Sequence, residues 1–115
     1  MSNALNLKTL AALREFDEPG QNAFITELIT TYLSDTATNL EAIRVSLQAQ
    51  DAMKVSKAAH AIKGSSLNMG ADDFASLMHS MEKEGKGGIL ALPARVTEAE
   101  ASFLEVKTAL EAYLA

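Results

Sequence analysis

The strongest constraint in this chain is an unbroken apolar stripe running from Phe24 to Leu47. Ile29, Leu33, Thr36, Leu40, Ile43 and Leu47 step by 4, 3, 4, 3 and 4, and Phe24, Ile25, Leu28 and Tyr32 widen the stripe at its start. That spacing collects on one face of an α-helix and scatters over both faces of a strand. No proline or glycine interrupts it. The stripe predicts a helix from about Asn22 to Gln48, which at ~1.5 Å per residue is about 40 Å long. In a chain of 115 residues, a helix of that length fits only an elongated bundle.

The rest of the chain reads the same way. Its breaks are few: Pro19, Pro93 and the glycines at 20, 64, 70, 85, 87 and 88. Leu5, Leu7, Leu10 and Leu13 suggest a short first helix over residues 5–15, closed by Glu18-Pro19-Gly20. Asp51 is the expected N-cap of a third helix that runs to Met69 and stops at Gly70. Asp72 is the expected cap of a fourth helix, on which Phe74, Leu77, Met78 and Met81 form an i, i+3, i+4, i+7 stripe. Gly85-Lys86-Gly87-Gly88 reads as a flexible break. Pro93 suits the first turn of the last helix, with Leu92, Val96, Ala99, Phe103, Val106, Leu110 and Tyr113 as its seam. The expected fold is therefore all-α. It is an antiparallel up-and-down four-helix bundle with an additional short N-terminal helix as a lid, in one domain spanning residues 1–115.

Charge and composition remove several function classes. Ten basic against fifteen acidic residues give a net charge of −5, whereas phosphate backbones are bound by a basic face, so no nucleic-acid partner is expected. No apolar run reaches the ~18 residues of a membrane helix, and the N-terminus lacks a signal-peptide pattern. Membrane contact by this domain is not expected. Its location is read as cytoplasmic, whether free or as a domain of a membrane-anchored sensor kinase. The absence of cysteine excludes disulfides, thiolate metal sites and a cysteine nucleophile. A small site served by a partner is the expected mode of action.

The chemistry concentrates in the third helix, in His60-Ala61-Ile62-Lys63-Gly64-Ser65-Ser66-Leu67-Asn68-Met69-Gly70-Ala71. At about 100° per residue, Val55, Ala59, Ser66 and Met69 fall within roughly 60° of Ile62 and form the buried seam. His60 lies about 160° from Ile62 and so points outward, with Lys63, Gly64 and Leu67 on the same outer side. A glycine in mid-helix costs about 1 kcal/mol relative to alanine. Gly64 faces away from the seam, so clearance for an approaching partner is the reason that fits. Leu67 and Met53, apolar on that face, suggest a small docking patch. An exposed imidazole beside an ammonium and a steric gap suits reversible phosphorylation of the ring. Neutral imidazole is a competent nucleophile near neutral pH, and Lys63 can attract phosphoryl oxygens. The motif itself holds no carboxylate to orient the ring and no phosphate-cradling loop.

These residues resemble the H-x-x-K-G motif of histidine-containing phosphotransfer (HPt) domains: His60-Ala61-Ile62-Lys63-Gly64-Ser65-Ser66, then Gly70-Ala71. The long preceding helix, the Asp51 entry, the stretch from Leu77 to Glu82 and the long final helix follow the same layout. Met81 stands where leucine is more usual. The resemblance implies a bundle that relays a phosphoryl group between aspartates of receiver (response-regulator) domains, including those of a hybrid sensor kinase. His60 would then be the phosphoacceptor, at Nε2. Lys63 would assist electrostatically and Gly64 would admit the receiver. No cofactor is implied for this chain, since Mg²⁺ belongs to the receiver, and the domain is expected to be a monomeric phosphocarrier without an ATP site of its own. Some relatives place a polar residue of the fourth helix beside the histidine, and Glu82, Glu84 and Lys86 are the candidates here.

Other polar residues read as surface. His79 lies about 140° from Phe74 on its own helix and should be solvated. Glu82-Lys83-Glu84 and the glutamates at 98, 100, 105 and 111 read as solvated faces, and no spacing signals a metal site. Two other classes of function compete: the phosphotransfer or phosphoacceptor module of a histidine kinase, and a receiver-binding module without covalent chemistry. The kinase dimerisation module supplies two helices per chain, which predicts a tight dimer, and an acidic residue usually follows its histidine. Ala61 follows His60 here.

Overall fold

Short polar side chains and tight turns set several of the helix ends. The computed structural model describes residues 4–88 and 93–115. Its helices are α1 (Leu7–Arg14), α2 (Ala23–Gln48), α3 (Ala52–Asn68), α4 (Asp72–Lys86) and α5 (Pro93–Leu114), with no strand among the described residues. α2 packs on α3, α3 on α4, α4 on α5, and α5 returns to α2, which closes a four-helix ring. The molecule measures 48 × 26 × 18 Å.

Both turns that flank α3 use the same device. At the end of α2, Gln50 takes a left-handed conformation (φ 57°), and the Asp51 amide bonds back to Ser46 O at 2.8 Å. At the end of α3, Gly70 does the same (φ 78°), with the Ala71 amide on Ser66 O at 2.9 Å. Each turn thereby satisfies carbonyls that the helix end leaves unpaired and reverses the chain within a few residues. Asp51 then caps α3 directly, accepting from the Lys54 amide at 3.1 Å. α3 is thus held at both ends, and it carries the stretch from His60 to Asn68.

The core follows the expected seams. Ile25, Ile29 and Ile43 of α2, Val55, Ala59 and Ile62 of α3, Phe74, Met78 and Met81 of α4, and Val106 and Leu110 of α5 are all buried. Most of the methionines are core filler, and Met53 is the exposed exception among the described ones. α1 lies against this core through Leu10, which is fully buried, and its entry is tied to the α3–α4 turn by the Asn6 amide on Gly70 O at 2.7 Å.

Three local expectations are corrected. α1 is shorter than residues 5–15, and Leu7 faces solvent because it sits at the helix start, outside the buried stripe of Leu10. α2 starts near Asn22 as expected, and that side chain makes no capping bond. Instead the Asp17 carboxylate reaches across the turn and accepts from the Phe24 and Ile25 amides at 2.8 and 3.0 Å. Asp72 is the first residue of α4 and not its cap, a position taken by Ala71. Gly85 belongs to α4, buried against α3, so the flexible break does not begin there. Leu92 lies outside the described residues.

Candidate functional site

On α3, the buried seam and the outer face separate as the periodicity requires. Val55, Ala59, Ile62, Ser66 and Met69 are buried. The His60 side chain is 66% exposed. Gly64 has open space where a Cβ would project. Met53 and Leu67 are both more than half exposed and bracket this stretch along the helix. The outward imidazole beside a bare backbone is therefore present in the fold.

The Lys63 side chain departs from the simple picture. It is mostly covered, because its ammonium turns toward α4 and donates to Glu82 Oε1 at 2.7 Å. The other carboxylate oxygen, Oε2, lies 2.7 Å from His60 Nδ1 and 3.2 Å from Lys86 Nζ. His79 Nδ1 stands 3.8 Å from Oε1. Glu82 is thus the hub of the site. Its side chain is 4% exposed, covered by the residues it binds.

This overturns the reading of Glu82-Lys83-Glu84 as a solvated face. Glu82 is buried, and Glu84 is half-buried and paired with Arg95 of α5 at 2.6 Å; of the three, Lys83 faces solvent. Of the three candidates for a fourth-helix contact, Glu82 makes it, Lys86 supports Glu82 from the next turn, and Glu84 points elsewhere. His79 is exposed as expected, yet it belongs to the rim of the same cluster. The glutamates at 98, 100, 105 and 111 are exposed.

The Glu82 carboxylate decides which nitrogen of the His60 ring carries a proton. The hydrogen bond from Lys63 is the largest influence on the Glu82 carboxyl; burial opposes it, and His60 and Lys86 add to it. The result is a pKa lowered from the ordinary 4.5 to about 2. An ionised carboxylate only accepts hydrogen bonds, so at neutral pH His60 Nδ1 must be the donor. In the neutral imidazole this places the lone pair on Nε2, the nitrogen left for chemistry. A carboxylate that holds a histidine in one tautomer is a recurrent arrangement in active sites.

Beneath the site, Tyr32 of α2 and Ser66 of α3 share a buried hydrogen bond of 2.7 Å, and burial raises the Tyr32 phenol above its usual pKa. Next to it, a shallow cleft is lined by Lys63, Leu67, Ser76, His79 and Ser80. No group of three or more histidine, cysteine or acidic side chains suited to a metal ion occurs among the described residues. No helix among them is long and apolar enough to cross a membrane.

The family model described as the Hpt domain matches residues 27–115 of this chain. The chain belongs to the Hpt domain family. Among solved structures, the Hpt domain is similar to histidine-containing phosphotransfer protein B (HptB) from Pseudomonas aeruginosa PAO1. The two are 29% identical with a TM-score of 0.87, over 98% of this chain and 96% of that one. No curated protein matches it. The Hpt domain is a histidine phosphotransfer relay component of two-component signalling, a phosphocarrier that exchanges phosphoryl groups with receiver domains.

Proposed function

We propose that His60 is the phosphoacceptor and that Nε2 is its reacting atom. The observation that carries this reading is the 2.7 Å contact between His60 Nδ1 and the buried Glu82 carboxylate, on a ring that is otherwise exposed. Nε2 attacks the phosphorus of a receiver's aspartyl phosphate. The N–P bond forms, the P–O bond to the aspartate breaks, and the aspartate leaves as a carboxylate. The proton on Nδ1 stays, so the phosphorylated ring carries positive charge, which Glu82 stabilises across their hydrogen bond. Transfer onward to a second receiver aspartate is the same step in reverse.

Lys63 donates to Glu82 and stands one helical turn from His60, where its ammonium draws the phosphoryl oxygens. Gly64 leaves the approach to the ring clear, and Met53 and Leu67 offer apolar contact to the docking receiver. On this reading residues 1–115 form a single domain that works as a monomer, because one chain already closes the four-helix ring. It holds no ATP site and acts in the cytoplasm with receivers that include that of a hybrid sensor kinase.

The test is phosphotransfer from a phosphorylated receiver to wild type and to His60→Gln. Wild type should acquire acid-labile phosphate, and the variant should keep its helical content and acquire none. Uptake by His60→Gln at the wild-type level would overturn the assignment.

A further inference from the structure

The contact between His60 and Glu82 joins two helices, so its length depends on how closely α3 and α4 approach. One turn away the two backbones come together at Gly85. A Cβ placed on Gly85 would stand 2.6 Å from Ala52 O, 2.9 Å from Ser56 Cβ and 3.0 Å from Ser56 N. Two of those atoms are α3 backbone, which cannot turn aside as a side-chain tip does. The same Ser56 is buried and donates from Oγ to Glu82 O at 3.0 Å. That bond holds the backbone carbonyl of the residue whose carboxylate reaches His60. Ser56 lies one turn before His60 on α3, and Gly85 one turn after Glu82 on α4. The two contacts are therefore successive rungs between the same pair of helices.

We infer that Gly85 and Ser56 are positioning residues for the relay: their close contact sets the α3–α4 distance at which Glu82 can hold His60 Nδ1. This rests on His60 being the phosphoacceptor. A glycine inside a helix is otherwise unfavourable, and an alanine here would be the better helix former. The advantage of glycine lies in the approach it permits. Glu82 already extends from a buried backbone position to a bond of 2.7 Å, so a shift of α4 outward lengthens that bond directly. A misplacement of about 1 Å in a catalytic array can cost on the order of 100-fold in rate.

The experiment uses the full chain. The ring nitrogens of His60 are followed by ¹⁵N NMR in wild type, Gly85→Ala and, as the reference for a lost contact, Glu82→Ala. Phosphotransfer rates are measured in parallel. Gly85→Ala should move the His60 nitrogen shifts toward those of Glu82→Ala and slow transfer by about tenfold or more. A folded Gly85→Ala whose His60 shifts match wild type overturns the inference, even if its melting temperature falls. Should that variant not fold, Ser56→Ala, which adds no atoms, decides in its place by the same shifts. The NMR readout needs no phosphate. Failure of wild type to be phosphorylated on His60 would remove the proposed function without touching this measurement, and unchanged shifts in a transferring protein would remove the positioning role alone.

Discussion

At the scale of single residues, the site is a buried carboxylate that organises its neighbours. Glu82 contributes to stability through its lowered pKa, and the sign follows from it. The contribution is complete above the ordinary 4.5 and is lost as pH falls toward about 2, because the proton that arrives then breaks the bonds from Lys63 and His60. Thermal unfolding of wild type and Glu82→Gln should therefore differ at pH 6 and converge as pH approaches 2. A difference constant across that range would mean that the carboxylate is not held as its geometry indicates. Gly64 makes the opposite case, an open surface kept bare. Gly64→Gln should raise stability by about 0.5 kcal/mol through helix propensity while slowing phosphotransfer, since its side chain would occupy the approach to His60. Equal transfer rates would argue against clearance as the reason for this glycine.

At the scale of elements, the long helices were legible from spacing, and their boundaries were legible where the capping residue is adjacent. Asp51 and the Gly70 stop fall where composition places them. The start of α2 also falls where spacing places it, but its cap is remote: Asp17 serves the Phe24 and Ile25 amides from the far side of the Pro19-Gly20 turn. Asp17→Ala should thus cost about 1 kcal/mol in urea denaturation, a charged cap at a helix N-terminus also favouring the macrodipole. Asn22→Ala, by contrast, should be close to neutral, because its side chain makes no capping bond. A cost at Asn22 equal to that at Asp17 would reverse the assignment. In α4, the wheel that makes Phe74 and Met78 a seam also places Gly85 only about 20° from Phe74. That signal was present, but a cluster of glycines reads more readily as a turn than as a close helix contact.

At the scale of the whole molecule, one hydrophobic core extends from α1 to α5. The family match begins at residue 27, so α1 lies outside it, while the likeness to HptB spans almost the entire chain. Leu10 binds α1 to the core with no exposed surface, and Asn6 ties the same segment to the turn that ends the motif helix. If α1 is an integral part of one cooperative unit, Leu10→Ala should lower stability by about 2–4 kcal/mol in a single transition. A separate early transition, with the rest melting as wild type does, would show α1 to be an appendage.

Periodicity by itself determined that the chain is helical, how long its helices are, which faces are buried, and that His60 points outward with Gly64 bare beside it. Those properties follow from angles within one helix, which residue spacing encodes directly. The partnership of His60 with Glu82 was decided only in three dimensions. It joins positions 22 residues apart on different helices, and the reach of a carboxylate depends on the distance between two backbones, which no spacing along either one records. Burial then decided between the two readings of Glu82, a solvated acidic residue or the polar neighbour of the histidine, in favour of the group that holds the ring.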